Sequence, residues 1–306
     1  MNADYIATVQ LLLNIAPVVF QSPRFAMKGG TALNLFVQDL PRLSVDIDVV
    51  FVPYKSERDE ALAVIGQDLN AAKVQLQIMG YGADIRTTKA GDEVKLLVFD
   101  ERAQVKVEVN FVFRGTLYPP VLSALSAKAQ ELFSLSVQLP TLEVAELYGS
   151  KLVAAMDRQH PRDIFDVLQM NEKFGIPQTF VDSFVAYLAG HNRPVHEVLF
   201  ANALPMEAVF KSEFQGMTAR AVELQKLIET RELLFEELPR KLTDNHKSFL
   251  LSLVQGSPKW DLMPFAHLQD LPALKWKCFN LAKLKNSNKL RFAQQYELLH
   301  KRLEAL

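Results

Sequence analysis

Two aspartates one residue apart, Asp46 and Asp48, sit in an alternating apolar run from Leu43 to Val52. In a strand, residues two apart share a face, so both carboxylates aim at one place. Two like charges held this way repel unless a cation lies between them. Mg²⁺ is the hard, oxygen-preferring cation that accompanies nucleotide phosphates. Just upstream stands Lys28-Gly29-Gly30-Thr31. Glycine lets a backbone approach a phosphate closely. A helix opening at Thr31 offers free N–H groups and a favourable dipole to that anion, and Thr31 is the expected cap. A third carboxylate, Glu108, falls on the polar side of a later run beside Lys106 and Asn110. Asp46, Asp48 and Glu108 are thus candidate ligands of a two-ion site, in which the ions lie about 3.5–4 Å apart. Pairing of Glu108 with Lys106 on a solvated face is the ordinary alternative.

The elements that must hold these residues are legible in part. Strands are expected at 24–28, 43–52, 74–79, 94–99 and 105–113. In the second, Val45, Ile47, Val49 and Phe51 face one way, with Ser44, Asp46, Asp48 and Val50 opposite. In the last, Val105, Val107, Val109, Phe111 and Phe113 face inward. Gly80, Gly82 and Gly91 punctuate the gap before the fourth strand. A helix is expected from Ser56, with Asp59 completing a variant capping box and Ala61, Leu62, Ile65 and Leu69 as its apolar stripe. The N-terminal segment reads as an amphipathic helix with Tyr5, Val9, Leu12 and Ala16 on one face. After Pro119-Pro120 the strand signal fades, and from Thr141 the pattern is helical. The expected architecture is α+β. A mixed-sheet domain, residues 1–139, precedes a mainly helical domain, 140–306, that completes the active site.

Composition fits this reading. The chain has 306 residues, 49% apolar and 23% charged, with a net charge of -1. That balance suits a globular protein and disfavours a surface coated in positive charge for duplex binding. Residues 241–306 carry 11 Lys and Arg against 5 Asp and Glu, or +6, leaving -7 elsewhere. The basic excess is compatible with a phosphate-rich partner, but a solvated helical face is the commoner cause. A single cysteine, Cys278, allows no intramolecular disulfide and suits a reducing compartment. The N-terminus lacks a basic leader and its apolar run is interrupted, so neither signal peptide nor membrane span is expected. The expected location is cytoplasmic.

Other signals carry less. Gly80-x-Gly82 lacks the third glycine of a dinucleotide fingerprint, and no P-loop is present. His191 and His196 are five apart, on different helix faces, which disfavours zinc. Trp276, Lys277, Lys283 and Lys285 have the composition of a nucleic-acid surface, although packing of Trp276 and Cys278 in a helical core is the favoured expectation.

Gly-Gly-Thr-Ala-Leu from Gly29, followed by Arg42-x-Ser44-x-Asp46-Ile47-Asp48, resembles the AbiEii/AbiGii nucleotidyltransferase toxins of the DNA polymerase β-like nucleotidyltransferase superfamily. Thr31 replaces the usual serine, and the spacer from Ala32 to Val45 is somewhat long at 14 residues. Both departures suit the AbiEii-like branch. Lys151, Arg158 and Arg162-Asp163-Ile164-Phe165-Asp166 resemble the later Lys and Arg-Asp-x-x-Asp motifs. Lys151 and Arg158 are seven apart on a helix and share a face, as do Asp163 and Asp166. Pro161 suits a helix start.

The resemblance implies nucleotidyl transfer from an NTP to an acceptor hydroxyl with release of pyrophosphate. Its implied catalytic residues are Asp46, Asp48, Glu108, Lys151 and Asp163, with Asp163 acting as a base or orienting Lys151. Nucleotide binding would fall to Gly29, Gly30, Thr31, Arg42, Ser44, Lys151, Arg158 and Arg162. An RNA acceptor, particularly the tRNA 3′ end, and a cognate antitoxin are the implied partners, in a toxin–antitoxin or phage-defence (abortive infection) system. Nucleotidylation of a small molecule or protein stays open, as does a non-catalytic nucleotide-binding role.

Overall fold

Seven strands form one mixed sheet in the order β3-β4-β5-β2-β1-β7-β6. The computed structural model describes residues 3–87, 93–110 and 113–306. The chain divides into two compact units, Met1–Leu147 with Gln215–Ala221, and Tyr148–Phe214 with Val222–Leu306.

The first unit holds the sheet. In chain order it contains α1 (Ala3–Val19), β1 (Phe25–Lys28), α2 (Gly29–Ala32), β2 (Asp46–Phe51), α3 (Arg58–Ile78), β3 (Gly82–Thr87), β4 (Glu93–Phe99), β5 (Gln104–Asn110), β6 (Val121–Ala124), α4 (Ala127–Phe133) and β7 (Gln138–Thr141). A π-helical turn, Leu33–Val37, continues α2. β2 runs parallel to β5 and antiparallel to β1, which runs parallel to β7. Ile47, Val49, Val105 and Val107 are fully or almost fully buried, as alternation requires of a sheet with one covered face. Helices α1 and α3 pack on each other and on the strands. Of the four residues expected on the inner face of α1, Val9, Leu12 and Ala16 are buried, and so are Leu11, Leu13 and Ile15.

Three expectations change. Residues 74–78 are the last turn of α3, not a strand. Val74, Leu76 and Ile78 alternate like a strand, yet Leu76 alone is buried while Val74 and Ile78 are exposed. Leu76 continues the helical stripe Ala61, Ile65, Leu69, Ala72, whose spacing of three and four is the helix period. That helix begins at Arg58, and its N-cap, Glu57, makes no side-chain capping bond, so the box from Ser56 does not form. Finally, β3, β6 and β7 are strands that the apolar pattern did not mark. Phe111 and Gly91 lie outside the described residues.

Helix α5 (Val144–Asp157) carries the chain into the second unit. There follow α6 (Pro161–Phe174), α7 (Gln178–Gly190), α8 (Val195–Leu199), α9 (Glu207–Glu213), α10 (Leu224–Arg240), α11 (Asp244–Val254), α12 (Pro272–Ser287) and α13 (Lys289–Glu304). Pro161 is the first residue of α6, and His160 caps it by accepting from Arg162 N. Gly149 lets α5 and α7 approach closely, since a Cβ there would meet the backbone of Phe184 at 2.7 Å. No helix among the described residues is long and apolar enough to cross a membrane.

Candidate active site

The sheet unit brings the first group of candidates together. β2 turns Asp46 and Asp48 to the face opposite Ile47 and Val49. Glu108 of β5 is the register partner of Asp48, and Lys106 that of Asp46. Lys28 of β1 lies opposite Asp48, and Lys95 of β4 opposite Glu108. Directly paired residues share a face, so one row across four strands reads Lys28, Asp48, Glu108, Lys95. Lys95 Nζ is 2.8 Å from Glu108 Oε1. Lys106 Nζ lies between two carboxylates, 3.4 Å from Glu108 and 3.9 Å from Asp46. Burial pushes the Glu108 carboxyl up, but Lys95 and Lys106 outweigh it and hold the group below its ordinary value, so it is ionised at neutral pH.

Gly29 sits against this row. Its φ is +75°, and a Cβ built on it would overlap the Asp48 carboxylate. A Cβ on Gly30 would come within 2.8 Å of Arg42 Nη2 and 3.1 Å of Ser44 Oγ. At Gly29 only a residue without a side chain clears the acid, whereas at Gly30 an added Cβ would require the Arg42 guanidinium to shift. Arg42 is 3% exposed and donates from Nη1 to its neighbour's carbonyl, Leu43 O, at 2.9 Å. Asn34 Nδ2 donates to Gly30 O at 2.8 Å, which fixes the turn from behind.

The helix after this turn starts at Gly29 rather than Thr31, and its N-cap is Lys28. Thr31 is therefore not the cap. It is fully buried, and its hydroxyl is hydrogen-bonded to Ser44 Oγ at 2.9 Å and to the Asp46 carbonyl. In this structure Thr31 braces the start of β2 from within.

Sequence reasoning missed the segment that braces Arg42. Leu43 N donates to Met217 O at 3.0 Å, and Ala219 N to Pro41 O at 2.9 Å. This antiparallel bridge between Arg42 and Thr218 joins positions far apart in the chain, and nothing local to either marks it.

The helical unit assembles the second group. Lys151, on α5, is buried, 2.7 Å from Asp163 and 2.9 Å from Asp166 on α6. Arg158, just past the end of α5, donates to Asp163 through Nε and, at 3.0 Å, through Nη2. Burial pushes the Asp163 carboxyl up, but Lys151 and Arg158 more than reverse this and hold it well below the usual carboxylate range. A carboxylate so stabilised is a poor proton acceptor, which favours the orienting role over the base. Asp166 was not among the candidates, although its three-residue spacing from Asp163 was the available signal. Arg162 stands apart from this cluster, with Nη2 3.7 Å from Glu213, which His160 also contacts at 3.1 Å.

Among the described residues no three His, Cys, Asp or Glu side chains converge closely enough to hold a metal ion. The donor chemistry nevertheless fits a hard cation: three carboxylates on adjoining register positions. The Asp46 and Glu108 side chains are 41% and 30% exposed, so both can reorient without crossing the core. Lys95 and Lys106 provide the positive charge in this arrangement, and Glu108 would leave them to join a metal.

This geometry has a counterpart among known families. A family model described as "Nucleotidyl transferase AbiEii toxin, Type IV TA system" matches residues 10–276. The chain belongs to the AbiEii nucleotidyltransferase toxin family. Among solved structures it is similar to MenT4, a nucleotidyltransferase toxin from Mycobacterium tuberculosis H37Rv, with 18% identity and a TM-score of 0.59, over 80% of this chain and 88% of that one. That likeness supports the fold. No curated protein matches in sequence. AbiEii membership makes the chain a nucleotidyltransferase enzyme and a type IV toxin, which implies an NTP substrate and an antitoxin partner.

Proposed function

We propose that this AbiEii-family toxin is Mg²⁺-dependent and transfers a nucleotidyl group from an NTP to a hydroxyl of RNA, the tRNA 3′ end being the acceptor that the resemblance points to. In such a transfer the acceptor oxygen bonds to the α-phosphorus and loses its proton. The bond from that phosphorus to the β-phosphate oxygen breaks, and pyrophosphate leaves. The observation that carries this reading is the register pairing of Asp48 with Glu108, with Asp46 on the same face and Gly29 packed on Asp48.

Asp46, Asp48 and Glu108 would hold the metal, as a two-ion site. When bound there, Mg²⁺ supplies positive charge that stabilises the attacking and leaving oxygens. The protein's own groups do the rest. The Gly29-Gly30 turn lets phosphate approach the backbone, with Arg42 and Ser44 beside it and Thr31 supporting it. Lys151, Arg158 and Arg162 of the helical domain neutralise triphosphate oxygens, as cationic clamps do in phosphoryl transfer. Asp163 orients Lys151. On this reading the toxin acts in the cytoplasm, in a toxin–antitoxin or phage-defence setting.

The test is incubation with each of the four α-labelled NTPs, Mg²⁺ and cell extract, followed by separation of RNA, protein and small products. Label is expected in RNA and absent with Asp48→Asn or with chelator. Label in protein or a small product would replace RNA as the acceptor. Absence of transfer with every NTP and fraction would sink the catalytic reading.

A further inference from the structure

Trp276 was expected in a helical core. Instead it is 51% exposed, and Phe279 one turn on is 59% exposed. Their rings are stacked on the surface of α12, with centroids 5.6 Å apart and planes 19° from parallel. Two large aromatic side chains left in water forgo substantial burial, and adjoining exposed apolar surface of this kind marks contact sites.

The orientation of α12 is fixed from its other side. Ala273, Leu274, Lys277 and Leu281 are buried. Lys277 Nζ donates to the carbonyls of His191 and Arg193, at 2.7 Å each, just past the end of α7. The opposite face carries Lys275, Trp276, Phe279 and Lys283, all exposed. These positions fall on one side of a helix with 3.6 residues per turn.

Charge singles out the occupant. Residues 271–296 contain six Lys and Arg and no Asp or Glu. Lys277 points inward, and Lys285 lies over the Phe292 ring. Lys275 and Lys283 remain on the aromatic face, with Lys275 4.0 Å from Asp270 at its edge. Stacked aromatic rings flanked by cations suit unpaired bases joined by phosphates, because every base offers a π-face. A duplex hides those faces within its own stack.

We infer that the Lys275–Trp276–Phe279–Lys283 face of α12 is a binding surface for single-stranded RNA. The inference rests on the reading above that RNA is the acceptor, and assigns a place where its unpaired segment is gripped.

The probe is a fluorescent oligouridine of about a dozen nucleotides, with binding to the full chain followed by anisotropy between roughly 50 and 200 mM salt. No NTP or metal is needed. Trp276→Ala/Phe279→Ala is expected to weaken binding by about tenfold or more, given the strength of base–aromatic stacking. Trp276→Phe should retain most of the affinity. Lys275→Gln/Lys283→Gln should lower the salt slope by about 1.4, two phosphate contacts at about 0.7 each. Gly66→Ala, in α3 with no atom near an added Cβ, should bind RNA like the wild type, and because the assay holds no NTP or metal, a failure of the catalytic reading leaves this measurement intact. Equal binding by the wild type and the Trp276→Ala/Phe279→Ala variant would overturn the inference. So would a wild type that does not bind the oligonucleotide. If the double variant keeps RNA binding but loses a co-expressed antitoxin, the face is a protein interface and the inference is wrong.

Discussion

Gly29 and Gly66 show how one residue type answers to two environments. Gly29 has a positive φ and lies against the Asp48 carboxylate, whereas a Cβ on Gly66, in α3, would meet nothing within 4 Å. Gly29→Ala must bear about 1–2 kcal/mol of backbone strain and displace Asp48. It is expected to lower the melting temperature and reduce transfer by about a hundredfold, on the scale of misplacing a reacting group by an ångström. Gly66→Ala is expected to raise stability by about 0.5–1 kcal/mol and leave transfer unchanged. Thermal melts and transfer assays on both variants read the contrast.

Asp163 gives a pH signature at the same scale. Its folded carboxyl is held below its ordinary value of 3.8, so the unfolded chain binds the proton more readily. The resulting stabilisation is present in full above the unfolded value and is lost as pH falls through it toward the lower folded value. Asp163→Asn should therefore cost about 3 kcal/mol near neutrality, with Asp166 still pairing Lys151, and the deficit should shrink as pH drops below about 4. Urea denaturation of both proteins across that range measures it. A deficit that does not change with pH would show that packing, not charge, is the cause.

At the scale of elements, legibility followed burial, except in β7, an interior strand of four residues in which Leu139 is the one buried apolar side chain. β1, β2, β4 and β5 stand in the middle of the sheet or beside it, and their buried alternation is visible in residues such as Ile47, Val49, Val105 and Val107. β3 and β6 are the edge strands. β3 alternates only Ala83 and Ile85 with the exposed Asp84 and Arg86, and Val121 and Leu122 of β6 are exposed. Edges need little apolar surface, so they leave little trace in a sequence. The opposite error at Val74–Ile78 has the same root: alternation without burial is not a strand. The acid pair and the double glycine were legible because each depends on short spacings, whereas the link between Lys151 and Asp163 came only through the family resemblance. Pairing of Glu108 with Lys106, two residues away on one strand face, was legible as well. Lys95, and the strand-like bridge behind Arg42, depend instead on register and on residues over a hundred positions away. Ala219→Pro removes the N–H that donates to Pro41. It is expected to raise the KM for NTP about tenfold, a loss typical of one charge-assisted contact, with kcat changed less. Steady-state kinetics with the acceptor saturating would check this.

Taken whole, the molecule joins a near-neutral total charge to a basic C-terminal stretch and an acidic remainder. An enzyme that harms its host through catalysis should lose that effect when its acids are removed, whatever it binds. Expression of the wild type without an antitoxin is expected to arrest growth, and Asp46→Ala or Asp48→Ala to relieve the arrest at equal protein level. Colony counts together with immunoblots decide the matter. Arrest that survives both substitutions would mean that toxicity comes from binding alone.

The bridge from Met217 and Ala219 to Pro41 and Leu43 bears on how the chain can be cut. The helical unit is interrupted by residues 215–221, which belong with the sheet. A fragment ending at Leu147 would keep all seven strands yet lose the brace beside Arg42. Such a fragment is expected to fold with a loosened 41–43 loop, and a synthetic peptide spanning 215–221 should tighten it again in trans. Complementation of that kind, followed by amide exchange at Leu43, would make a discontinuous unit divisible in the test tube.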